Sequence, residues 1–184
     1  MKRALDHILE FQERVERLKG VQRKGWVKAG VRKPESVADH SYACAVLSMI
    51  AGDVLGLDTQ RLIRMALLHD LSESIMGDLT PRQKSRLGAK FSTLEKRSAK
   101  VTLVHLPIKI KKRYLSLMDE YMNQRSMESR VLRDIDKIEM SIQALRYMRE
   151  GHSARRMKKF LNSTEKDVRT DFGRALFEAV GSGK

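Results

Sequence analysis

The chain is predicted to be all-α, a bundle of about six to eight helices with no sheet, and three observations carry that expectation. Apolar residues recur at three- and four-residue spacing with charges between them in one segment after another. Gly20, Gly56, Gly151 and the 3 prolines fall at the ends of those segments. No stretch shows the two-residue alternation, the hairpin signal or the internal repeat of a strand-built fold. At 184 residues, 41% hydrophobic and 33% charged, the chain is read as one domain over 1–184, long enough to bury a core without a disulfide. No apolar segment approaches the ~20 residues needed to cross a bilayer, and Lys2 and Arg3 are not followed by an apolar leader, so a cytoplasmic protein is expected.

The first helix is expected from Arg3 to Lys19, where Leu5, Ile8, Val15 and Leu18 keep helical spacing, and Gly20 stops it. Residues 21–34 hold Gly25, Gly30, Pro34, five basic residues and Trp26, and read as an irregular connection. Trp26, the only tryptophan, is expected to anchor packing. Glu35–Leu55 is a strong core helix ended by Gly56, with His40 on the apolar stripe of Ala43, Leu47, Ile50 and Val54 and the single Cys44 buried in the same run. Asp58 or Thr59 caps the next helix, which runs through Leu62, Met65 and Ala66 to His69.

Chemistry concentrates in Ala66–Pro81, ALLHDLSESIMGDLTP. His69 and Asp70 sit where the helical pattern ends, Glu73 follows by one turn, and Asp78 comes just after Gly77. From Arg82 to Arg113 eleven Lys or Arg face one acid, Glu95, in a chain of net charge +14, a field that attracts phosphate groups. Aromatics are sparse there, which argues against a single-strand nucleic-acid binder. Helices are expected from about Lys90 to His105 and from Pro107 through Tyr121, followed by a polar break over 123–129. Val131, Ile135, Ile138, Ile142 and Leu145 make the clearest stripe of all. Asp134 and Asp136 flank Ile135, each rotated by ~100°, so either can face a pocket. Gly151 closes this helix, and a last one uses Val168, Phe172, Leu176 and Ala179 after a cap-like segment at Asn162–Glu165.

Neutral imidazoles and carboxylates gathered in a dry site hold divalent ions, and His40, then His69–Asp70, then a late aspartate supply two of each. This H…HD…D order resembles the HD-domain phosphohydrolases, and within them the 5′-deoxynucleotidase (YfbR-like) branch. The blocks that carry the resemblance are Gly25–Trp26, PESVADHS at 34–41, ALLHDLSES…GDLTP, EYMNQ at 120–124 and DKIEM at 136–140. They cover about 1–150 and leave 151–184 as a C-terminal helical extension without a family motif.

The resemblance implies an HD-domain bundle that binds one divalent ion (Co, Mn, Fe, Ni, Zn or Mg) through His40, His69, Asp70 and Asp136. It implies hydrolysis of deoxyribonucleoside 5′-monophosphates by an activated water, with Glu73 as catalytic acid or base. Asp78 is then expected at the sugar 3′-hydroxyl, Trp26 as a wall beside C2′, and Tyr121, Met122, Asn123 and Gln124 near the base. In the bacterial members an arginine precedes the tryptophan and orients the phosphate; here Gly25 stands in its place, and Arg23 or Arg32 is expected to take over. A homodimer is expected from the family. Two other readings compete: an HD hydrolase of a nucleoside triphosphate or cyclic nucleotide, and a basic nucleic-acid-binding module on the same fold, the latter not favoured.

Overall fold

The computed structural model describes residues 2–182, and the side chains of 3 and 4 are left aside. Within it lie eleven α-helices and no strand, the only pairing being an isolated bridge between Gln22 and Ser36. In order they are α1 (Lys2–Glu16), continued by a 3-10 turn at Arg17–Gly20, α2 (Lys24–Lys28), α3 (Val37–Leu55), α4 (Thr59–Leu68), α5 (Glu73–Met76) and α6 (Pro81–Leu87). They are followed by α7 (Ala89–Thr102), α8 (Ile108–Asn123), α9 (Met127–Arg149), α10 (Ala154–Asp167) and α11 (Asp171–Ser182). The excess over six to eight comes from α2, α5 and α6, which run 4 to 7 residues. Helices that short span at most two turns and leave no periodic signal. No described helix is long and apolar enough to cross a membrane.

Local chemistry sets the helix ends. Ser36 and Asp39 form a reciprocal capping box at the start of α3, and Gly56 ends it in the left-handed region at φ 63°. Asp58, rather than Thr59, caps α4 by accepting from the Arg61 N–H at 2.8 Å. The two helices cross closely because position 52 is glycine: a Cβ there would stand 2.9 Å from the Thr59 Cα. Helix α9 is the central post, packed against α3, α4, α8, α10 and α11. Of its expected stripe, Val131, Ile135 and Ile138 are buried, while Ile142 and Leu145 are half-buried. A smaller cluster of Trp26, Val31, Ala144, Tyr147 and Met157 ties α2 and α10 to the same post.

Three expected boundaries change. The helix expected to reach His105 ends at Thr102, and His105 turns to meet Glu10 and Arg14 of α1. The polar break shrinks to 124–126 because the Ser126 hydroxyl caps α9. Asn162–Glu165 is no cap but the third turn of α10, where the buried Thr164 hydroxyl donates to the Lys137 carbonyl at 2.9 Å and accepts from Ser141 at 2.7 Å. Those bonds lock α10 in register against α9.

Candidate metal centre and substrate pocket

Helices α3, α4 and α9 bring four side chains to one point. His40 lies in the first turns of α3, fully buried; its Nδ1 is bonded to the Glu139 carboxylate, and its Nε2 stands 3.2 Å from Asp136 Oδ1 and 3.8 Å from Asp70 Oδ2. His69 follows the last residue of α4. Its Nδ1 donates to the Ala66 carbonyl at 2.6 Å, which leaves Nε2 as the bare lone pair, 3.3 Å from Asp70 Oδ2. That nitrogen is buried and has no hydrogen-bond partner. A buried lone pair among carboxylate oxygens is unfavourable unless a cation or a proton lies between them, so the donor set fits a divalent ion.

The charges at this point are mutually dependent. Against the burial that would raise it, His69, Arg23 and His40 hold the Asp70 carboxyl well below the usual carboxylate range. Asp136 is likewise buried yet held far down by Lys137, whose Nζ is 3.0 Å away, and by His40. Burial and Arg23 disfavour charge on His40, but Cys44 and Asp136 outweigh them and raise it well above an ordinary imidazole.

The two aspartates that the stripe left equivalent separate in the structure. Asp134 is fully buried and faces α11: Oδ1 accepts from the Arg169 N–H at 3.0 Å, and Oδ2 from the Thr170 N–H at 2.7 Å and its hydroxyl at 2.6 Å. A Cβ on Gly173 would strike that carboxylate, so glycine is required where α11 passes. Asp134 is therefore engaged in tying down the last helix, and Asp136 alone points at the histidines.

A cavity of about 680 Å³ opens from His69, Asp70 and Asp136 to the surface. Arg23 lines it, with Nη1 3.4 Å from Asp70 Oδ2 and Nε 4.0 Å from Glu35. Arg32, by contrast, is exposed and forms no part of the wall. Asp78 is buried beside the cavity and accepts from the Lys24 backbone N–H at 2.5 Å. Trp26 donates from Nε1 to Glu35 at 2.7 Å, packs 4.1 Å from the Phe160 ring and keeps only 1% of its surface exposed. It is the packing anchor expected of a lone tryptophan, and its edge still meets the cavity. Tyr121 and Met122 reach the wall, the Tyr121 ring lying 5.5 Å from that of His69.

Other expected residues stand elsewhere. Asn123 donates back to Asp119 and Gln124 to the Tyr121 carbonyl, both closing the end of α8 and outside the cavity wall. Gln124 adopts φ 53° to do so. Glu73 is buried behind the wall, with Oε1 4.0 Å from Lys84 Nζ and Oε2 without a partner. Burial, then Asp70 and Asp78, push its pKa up to about 9.

Several residues of the centre and the wall go beyond the expected set. Glu139, which orients His40, falls one turn after Asp136 in DKIEM, so helical spacing was a usable signal. Lys84 and Glu95 come from the basic stretch, and Lys159 and Phe160 from α10, where sequence held no sign of them. Phe160 also explains Gly25: a Cβ at position 25 would press within 3.2 Å of its ring.

The HD-domain family model matches residues 15–175, which includes every donor of this centre. The chain belongs to the HD-domain family. Among curated relatives of this HD domain, the 5′-deoxynucleotidase HDDC2 of Homo sapiens is 36% identical over 157 residues, covering 85% of this chain and 76% of the relative. The protein of the same name from Dictyostelium discoideum is 34% identical and covers 96% of this chain and 95% of its own. Among solved structures, the PH0347 protein of Pyrococcus horikoshii superposes with a TM-score of 0.78 at 28% identity, over 95% of this HD domain and 96% of that chain.

Proposed function

We propose that this HD domain is a metal-dependent 5′-deoxynucleotidase, releasing inorganic phosphate from deoxyribonucleoside 5′-monophosphates. Relatives that bear this name match most of the chain. The observation that carries the reading is the convergence of His40, His69, Asp70 and Asp136 at the inner end of a cavity whose wall also holds the Arg23 guanidinium. A divalent ion held by those four would polarise a phosphoryl oxygen and lower the pKa of water.

The chain's own groups do the rest. Glu139 and the Ala66 carbonyl fix the two imidazole rings, so each presents one nitrogen to the centre. Arg23, already charged and beside Asp70, orients the phosphate by donating to its oxygens. Glu73 is protonated near neutral pH and adjoins Asp70 and Lys84, and we assign it the proton transfer that accompanies P–O cleavage. Asp78 is placed to accept from a sugar hydroxyl, and the rigidly held Trp26 narrows the wall beside it.

Phosphate release from dAMP, dGMP and dTMP, compared with the matching ribonucleotides, tests this with Co²⁺ or Mn²⁺ added. Preference for the deoxy series is expected; equal rates on both overturn the sugar selectivity, and no release with any divalent ion overturns the activity.

A further inference from the structure

We propose that Cys44 is a donor to the metal ion of this HD domain, a soft sulfur added to the imidazoles and carboxylates, and that it biases the site toward thiophilic ions such as Zn²⁺ and Co²⁺ over Mn²⁺ and Mg²⁺. The inference rests on the metal centre of the preceding section and names which ion suits it.

Cys44 follows His40 by one helical turn on α3, so both side chains leave the same face of the helix. Its Sγ lies 3.6 Å from His40 Nε2 and 3.8 Å from Nδ1, fully buried. Donor atoms of His40, Cys44 and His69 all fall within 4.8 Å of one another. Independently, the buried Nε2 of His69 has no partner and belongs to this same cluster.

The donors stand close enough to share one ion. An ion with bonds of about 2.0–2.1 Å to nitrogen or oxygen and about 2.3 Å to sulfur holds any two of its donor atoms no more than about 4.4 Å apart, whatever its coordination number. The observed N···S separation is 3.6 Å, and the N···O separations are 3.2, 3.3 and 3.8 Å, all inside that limit. The sulfur is nearly equidistant from both ring nitrogens and thus sits beside the ring, off the axis of the Nε2 lone pair, so coordination requires the Cys44 side chain to turn toward the ion. As the metal–sulfur bond forms, the thiol proton passes to solvent and no oxidation state changes. Imidazoles and carboxylates accept most divalent ions, whereas a thiolate discriminates by softness.

Cys44 is the only cysteine of the chain, so a thiolate signal in the loaded full-length protein can come from nowhere else. The protein is stripped with chelator, loaded with Co²⁺ and examined by absorption spectroscopy. A near-ultraviolet sulfur-to-cobalt charge-transfer band is expected beside the visible d–d bands, and it is lost in both Cys44→Ser and Cys44→Ala while the d–d bands persist. The ratio of Co²⁺ to Mn²⁺ affinity falls in both variants. Wild-type d–d bands without the charge-transfer band overturn the role of Cys44 and leave the metal centre standing. No cobalt binding at all overturns both. Because the wild-type spectrum decides alone, a variant that fails to fold does not shield the proposal.

Discussion

Asp136 Oδ1 stands 3.2 Å from His40 Nε2, joining α9 to α3 at the centre of the molecule, while Asp134, two residues earlier on the same helix, faces away and holds the backbone of α11. The same residue type thus does two unrelated jobs within one turn. Asp136→Asn is expected to lower metal affinity and turnover by at least about 100-fold with little change in thermal stability of the metal-free protein. Asp134→Ala is expected to cost about 2 kcal/mol, a fall of about 4–8 °C in Tm, while the remaining folded protein keeps its turnover. Phosphate-release assays and thermal melts on the pair check both halves.

Glu139 is the partner that sets the ring of His40. Glu139→Gln removes the charge but leaves the shape, and metal affinity is expected to fall by about 10–100-fold, as for other outer partners of ligating histidines. Competition with a fluorescent chelator measures it; unchanged affinity would mean that Glu139 has no hold on the ring.

Glu73 is a buried carboxyl with one oxygen unpartnered. Its folded pKa of about 9 lies above the 4.5 of an ordinary glutamate, so the folded state binds the proton more tightly and stability declines as pH rises from the lower value toward the higher. Asp70, Asp78, Arg23 and Lys84 are the charges that act on it. Glu73→Gln is expected to raise the Tm of the metal-free protein at pH 8 and to raise it less at pH 5. In the loaded enzyme the same change is expected to lower kcat by about 10²–10⁴-fold.

Arg23 and Arg32 are the two candidates for the phosphate that the sequence offers, and only Arg23 lines the cavity. Arg23→Ala is expected to reduce kcat/KM by about 10–100-fold, the worth of one charge-assisted contact. Arg32→Ala serves as the control and is expected to leave kcat/KM unchanged. Steady-state kinetics on dAMP separates them.

Chelation should abolish phosphate release, with activity returning on addition of Co²⁺ or Mn²⁺. Circular dichroism of the stripped protein is expected to keep its helical signal, because α3, α4 and α9 are held together by Leu62, Leu132 and Ile135, not by the centre itself.

What was legible in the chain was whatever repeats or abuts in sequence. Three- and four-residue spacing determined the helices, their buried faces and the all-α class, since that period is a property of the backbone itself. The H…HD…D order, with the blocks around it, identified the donors. Tertiary structure alone decided what stands across from each face. It gave Asp134 to α11 and Asp136 to the histidines, brought Arg23 in and left Arg32 out, turned Asn123 and Gln124 back onto α8, and seated Phe160 of α10 against Gly25. The physical reason is that periodicity fixes an angle around one helix axis, whereas a site is made of distances between axes. Those distances come from packing contacts among residues that lie up to a hundred or more positions apart, such as His40 and Glu139 or Glu35 and Tyr147.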